Sequence, residues 1–176
     1  METLKLVVPS IAYADEITAY RQEFLDAGDS MDGCAALEDY PDIADWLHKI
    51  QMHANKDSLP ENRVLATQFL YVREEDNKLV GMIDVRHYFN DFLERFGGHI
   101  GYSVRPSERR RGYATTMLHD CLPYCRQLGL AKVLITCDAD NDGSRKTILA
   151  NGGVYESTVF EQKEKNQIER YWIPLL

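Results

Sequence analysis

Apolar side chains recur along this chain in two periods, one of two residues and one of about 3.6, and the switches between them mark out its elements. Leu4 to Val8 is a short apolar run that predicts an opening strand. From Ala14 to Ala27, residues Ile17, Tyr20, Phe24 and Leu25 fall at helical spacing, and Gly28 with Asp29 ends the segment. A second helix is predicted from near Pro41, a residue suited to a first helical turn, with Ile43, Trp46, Leu47 and Ile50 on one face. His53 to Arg63 is polar and reads as a loop.

Alternation returns from Thr67 to Arg73, breaks at a charged turn over Glu74 to Lys78, and resumes from Leu79 to Tyr88, which predicts a β-hairpin. An aromatic-rich, mobile connection, Phe89 to Phe96, leads through Gly97 and Gly98 to a strand over His99 to Val104. The strongest helical pattern follows, with Ala114, Met117, Leu118, Cys121, Leu122, Cys125 and Leu128 on one stripe and Gly129 closing it. Pro123 inside this helix is expected to kink it. Lys132 to Cys137 predicts a buried strand, Asn141 to Ala150 a short helix, and Val154 to Phe160 with Gln167 to Ile173 a last strand pair.

The order of elements gives an α/β (α+β) fold with a mixed, mostly antiparallel twisted sheet flanked by helices. Because a strand, helix, strand succession needs a crossover, His99 to Val104 and Lys132 to Cys137 are expected to be parallel neighbours. The 176 residues suit one domain over 1–176, and no linker, repeat or low-complexity block divides them.

Charge narrows the partners. A formal net charge of −8 disfavours nucleic acid and anionic membrane surfaces and favours a cationic or amine-bearing ligand, although an acidic surface also serves solubility. Met1 to Ser10 lacks the basic start of a signal peptide, and no run approaches the ~18 apolar residues of a membrane span, so the expected compartment is cytoplasmic. Cys34, Cys121, Cys125 and Cys137 form no paired framework. Cys121 and Cys125 share a helical face, but His119 lies off it, and no metal is expected.

Against that acidic background stands one basic segment, Val104, Arg105, Pro106, Ser107, Glu108, Arg109, Arg110, Arg111, Gly112, Tyr113, Ala114, joining a strand to the strongest helix. Unpaired amides at a helix start, the helix dipole and a glycine that permits close approach make an anion site there. Cations at a helix N-terminus oppose the dipole, so solvation alone does not call for three arginines. The lysine and hydroxyl residue of a P-loop are missing, as is the triple-glycine dinucleotide fingerprint.

In Arg109, Gly112 and Ala114 the loop resembles the pyrophosphate loop of the GNAT N-acetyltransferases, and the resemblance extends to Asn141, Ser144 and the pair Gly152 and Gly153, spanning about residues 65 to 160. It implies the GNAT-type sheet, with its parallel pair splayed at the centre, and acetyl-CoA as cosubstrate. It further implies that amides from Arg110 through Arg111, Gly112 and Tyr113 to Ala114 hold the pyrophosphate, with Arg109 in the loop. Backbone at Ser103 and Val104 would pair with the pantetheine arm, and Asn141, with Ser144 beside it, would hydrogen-bond it. Asn141 reads equally as a helix N-cap.

The catalytic groups are less legible. Many relatives carry a tyrosine late in the short helix, where this chain has Thr147, Ile148 and Leu149, and others a glutamate where Phe96, Gly97 and Gly98 stand. The candidates that remain are His99, Tyr102, Ser144 and Tyr155, with Asp138 nearby. Strand alternation keeps His99 and Tyr102 from sharing one cleft without a bulge. Transfer by proximity with a water relay needs no dedicated base. The expected activity is acetyl transfer to a primary amine of a small molecule or peptide in a ternary complex. A CoA or acyl-CoA binding module without turnover and a nucleotide site at the same loop stay open. Tyr171 and Trp172 on the last strand suit core or homodimer contacts.

Overall fold

The computed structural model describes residues 1–175. In chain order the elements are β1 (Leu4–Val7), α1 (Ala14–Ala27), α2 (Ile43–Ala54), β2 (Ala66–Arg73), β3 (Lys78–Arg86), β4 (Ile100–Val104), α3 (Tyr113–Gln127), β5 (Lys132–Asp138), α4 (Asp142–Ala150), β6 (Val154–Glu161) and β7 (Asn166–Pro174). The bounds follow local chemistry. Gly28 closes α1 in the left-handed conformation, and the Asp42 carboxylate caps α2 by accepting the Ala44 N–H at 2.9 Å, so Pro41 precedes the cap. Helix α3 runs on through Pro123. The connection from Phe89 to Phe96 contains a π-helical turn, Leu93–Gly97.

Two antiparallel sheets form, in the orders β1-β2-β3-β4 and β5-β7-β6. The expected parallel pairing of β4 with β5 is not made: the two strands belong to different sheets. They meet at His99, whose N–H donates to the Leu134 carbonyl at 2.8 Å while its Nδ1 accepts the Leu134 N–H at 2.9 Å. The imidazole thus takes the donor that would have continued a ladder.

Both faces of the first sheet are covered. Helices α1 and α2 bury Ile17, Tyr20, Phe24 and Trp46 against Leu70, Val72, Leu79 and Met82. On the other face α3 packs Met117, Leu118 and Cys121 against Tyr71, Val80 and Ile83, and the same core continues into Val133, Ile135 and Ile173 of the second sheet. Leu70 and Val72 take one face of β2 and Tyr71 the other, as a period of two requires. A bulge opposite Tyr71 and Val72 turns Val80 and Gly81 together toward α3, and a Cβ on Gly81 would come within 2.9 Å of Met117 Sδ. That close approach seats α3 on β3.

Candidate active site

The start of α3 is built by backbone. Arg110 and Gly112 are both left-handed, at φ +65 and +81, and Gly112 is the N-cap. The first amide of α3 to reach an acceptor within the helix is Thr116, bonded to the Gly112 carbonyl at 3.2 Å. The N–H groups of Tyr113, Ala114 and Thr115 therefore sit at the positive end of the dipole without an intrahelical partner. With Gly112 they line a cleft of about 920 Å³ that runs between β4 and the end of β5 and is walled by α4 and the loop after α1.

Strand β4 supplies a second row of backbone groups that no ladder pairs. Arg105 N–H bonds the Val80 carbonyl and Arg86 N–H bonds the His99 carbonyl, so Gly101 and Ser103 share the edge paired to β3. The backbone of Tyr102 and Val104 faces the other edge, where β5 has parted from β4. Of the two residues expected to offer backbone to a ligand, Val104 faces the gap. Ser103 is buried on the paired edge, its Oγ 2.9 Å from Tyr20 Oη and 3.2 Å from Cys34 Sγ.

Tyr102 and Ser144 come together: the phenol and the serine Oγ lie 2.7 Å apart inside the cleft. Burial pushes the phenol's pKa well up, which keeps its proton in place at neutral pH. Asn141 caps α4, its Oδ1 accepting the Ser144 N–H at 3.0 Å, and that bond sets the height of Ser144 opposite β4. Thr147 is buried at the back of the same cleft.

His99 is 5% exposed and does not line the cleft. Its ring stacks on Phe89 at 4.1 Å, and burial, aided by the Arg86 charge, pushes its pKa down to about 4. Tyr155 is exposed on β6, paired with Thr158 at 2.7 Å and outside the cleft. The imidazole's clasp on Leu134 and the separation of β6 from β4 leave Tyr102 and Ser144 as the two of the four catalytic candidates that share the cleft.

The three arginines divide in the same way. Arg109 lines the cleft but is already engaged, by Asp29 at 2.6 Å and the Val104 carbonyl at 3.1 Å. Arg111 turns away from the cleft toward Glu108 and Glu2. Arg110 lines the cleft and forms no ion pair among the described residues. Arg105 is buried between Glu16 and Glu23 and ties the end of β4 to α1.

Sequence reasoning passed over one wall altogether, Asp29, Ser30, Asp32 and Gly33. A Cβ on Gly33 would lie 2.4 Å from the Gly101 carbonyl oxygen, so this loop rests directly on β4, and Gly33 is left-handed at φ +68. Asp32 and Asp138 bring carboxylates to the cleft, and burial raises the pKa of both, with like charges adding to it. The signal available in sequence was a polar, glycine-bearing break between two helices. Nothing in its spacing ties it to a strand some 70 residues later, by about the separation of Gly33 from Gly101.

This architecture, two antiparallel sheets parted over a helix N-terminus, is an acetyltransferase fold. It is similar to Mycobacterium smegmatis RimJ solved in complex with CoA-disulfide, at 15% identity over 97% of this chain and 81% of that one, with a TM-score of 0.73. A ribosomal-protein alanine acetyltransferase from Vibrio fischeri matches at 15% identity over 99% and 94%, with a TM-score of 0.71. The dodecameric spermidine N-acetyltransferase from Vibrio cholerae matches at 15% over 98% and 94%, with a TM-score of 0.68. No curated protein matches the sequence. Residues 33–152, more than half of the chain, match the model of the acetyltransferase (GNAT) family, and the chain belongs to that family. No helix among the described residues is long and apolar enough to cross a membrane.

Proposed function

We propose that the protein is an acetyl-CoA-dependent N-acetyltransferase that acts on a primary amine in a ternary complex. The observation that carries this reading is the continuity of two rows of backbone groups outside any ladder, the open edge of β4 at Tyr102 and Val104, where the Val104 carbonyl is held only by the Arg109 side chain, and the unpaired amides from Gly112 to Thr115. A peptide-like arm ending in phosphates needs such a track, hydrogen-bonding along an extended stretch and then meeting a helix dipole. Val104 and Tyr102 would hold the arm, the amides of Gly112, Tyr113, Ala114 and Thr115 with the Arg110 guanidinium the phosphates, and Asn141 would act through Ser144 as a positioning residue.

Acetyl-CoA supplies the acyl group as a thioester when bound. The amine nitrogen forms the new C–N bond as the C–S bond breaks, giving an amide and a thiol. In this reading the proton lost by the nitrogen passes to Asp32 or Asp138 through water, the two carboxylates whose raised pKa brings them nearer to neutral pH. The Tyr102 phenol, protonated and oriented by Ser144, delivers a proton to the departing sulfur.

Free-thiol release from acetyl-CoA, measured across alkylamines, polyamines, amino acids and peptides, tests the proposal. Amine-dependent release above hydrolysis is expected. CoA binding without turnover on any acceptor would instead make the chain a binding module, and tighter binding of ATP than of CoA would reassign the loop.

A further inference from the structure

A second cavity, of about 290 Å³, lies behind the cleft and carries the opposite charge to the molecule as a whole. Lys49, His53, Arg63 and Arg86 line it, and Asp84 is the one acid among the lining residues. That acid is already engaged, with Oδ2 3.4 Å from Arg86 Nε. Among the described residues neither Lys49 nor Arg63 forms an ion pair, and the Lys49 ammonium has a single bond, to the Ala35 carbonyl at 2.7 Å. Burial and the neighbouring Arg63 push the Lys49 pKa down, and burial, Lys49 and Arg63 do the same to His53. Lys49 and His53, partly out of water, stand beside the positive charges of Arg63 and Arg86, which the single carboxylate of Asp84 does not balance, and a bound anion relieves that cost.

The cavity shares a wall with the cleft. Arg86 lines both, and Gln68, in the cavity wall, donates its Nε2 to the carbonyl of Gly33, in the cleft wall, at 2.8 Å. The cleft side offers Asp32 and Asp138 to an ammonium group, and the cavity offers cations. We infer that the cavity is a carboxylate subsite of the acceptor site, and that the acceptor is a primary amine carrying a carboxylate a few bonds away, as in an amino acid or a peptide amino terminus beside an acidic residue. A single negative charge fits better than a phosphate dianion. Two buried acceptor atoms of the lining residues, Asp84 Oδ1 and Gln68 Oε1, have no hydrogen-bond partner and would repel a second charge. A polyamine, which has no anion to place there, is disfavoured.

This inference rests on the N-acetyltransferase reading, and its test separates the two. Free-thiol release is measured for ω-amino acids against their amides, and for peptides with an acidic second residue against the same peptides with that residue amidated. The acids are expected to lead in kcat/KM by about tenfold or more. The better arm, free amino acid or peptide, identifies the source of the carboxylate. Binding of N-acetyl-β-alanine and of its amide in the presence of CoA is followed by calorimetry, for the parent protein and for Lys49→Gln and Arg63→Gln. The acid is expected to bind about tenfold more tightly, the margin falling below about threefold in each variant. CoA affinity serves as the check that each variant is folded. Equal binding of acid and amide, or a margin that persists in both variants, overturns the carboxylate subsite. Discrimination between acid and amide with no thiol release from any amine would leave the subsite standing and remove the transferase reading.

Discussion

The Tyr102 hydroxyl stands 2.7 Å from Ser144 Oγ, bridging the open edge of β4 to the first turn of α4 across the floor of the cleft. One strand residue and one helix residue, far apart in sequence, thereby hold a protonated phenol where the two sheets part. Replacing Tyr102 with Phe keeps the ring and removes the proton donor. The expected result is a kcat lower by about 100-fold with CoA affinity unchanged, and a smaller loss in Ser144→Ala, read by steady-state thiol release and calorimetry. An unaltered kcat in Tyr102→Phe would remove the phenol from the chemistry.

Gly112 and the arginines before it make separable predictions. A valine at position 112 must hold φ near +81, which costs about 1–2 kcal/mol, and that strain falls on the turn whose amides line the cleft. CoA affinity should fall by more than about tenfold in Gly112→Val while circular dichroism stays near that of the parent. Charge reversal at Arg110, which faces the cleft unpaired, should weaken CoA binding, and more so at low salt. The same change at Arg111, which turns toward Glu2 and Glu108, should do so much less. Equal effects at 110 and 111 would contradict the assignment.

The loop bearing Asp32 is held on β4 by the absence of a side chain at Gly33. In Gly33→Ala the new Cβ would meet the Gly101 carbonyl carbon at 2.5 Å as well as its oxygen, both backbone atoms that cannot swing aside. The loop must lift. Acceptor KM should rise by about tenfold or more while the CoA Kd moves by less than about threefold, since the amides proposed to hold the pyrophosphate lie on α3. Kinetics with a fixed good acceptor and CoA titration of the same preparation give the two numbers.

His99 carries a pH prediction. Its folded pKa, about 4, is below the ordinary value of about 6.5, so between these two values the unfolded chain binds more protons than the folded one. The stability contributed by neutral His99 is complete above about pH 6.5 and is lost progressively as pH falls toward 4. Urea midpoints at about pH 5 and about pH 7.5 should differ less in His99→Gln than in the parent. The His99 imidazole resonances of the parent should titrate far below neutrality. A His99 that titrates near pH 7 would restore it as a candidate base.

Much of the fold was legible because local patterns agree with the tertiary outcome. The stripe from Met117 to Cys125 is the buried face of α3, and the alternation from Thr67 onward is β2. The left-handed glycine at the start of α3 was legible for the same reason: Gly112 and a helix start are local features, and they need only each other. What could not be read is which side chains share the cleft. His99 looked like a base by residue type, yet its ring is committed to Leu134, a partner chosen by the meeting of two strands. Arg111 looked equivalent to Arg110, and the turn through two left-handed residues sent them in different directions. Cys121 and Cys125 are both buried in the α3 core, while His119 is exposed.

By itself the sequence determined the elements, their order and the glycine-started helix N-terminus at Gly112, because helical and strand periodicity, caps and glycines act over a few neighbouring residues. Only the tertiary structure decided that β4 and β5 part, that Tyr102 meets Ser144, and that Lys49, Arg63 and Arg86 converge on one cavity. Those relationships join residues from separate elements. They are set by how two sheets pack on α3 and by where the loop at Gly33 can approach a strand, and no local pattern records either.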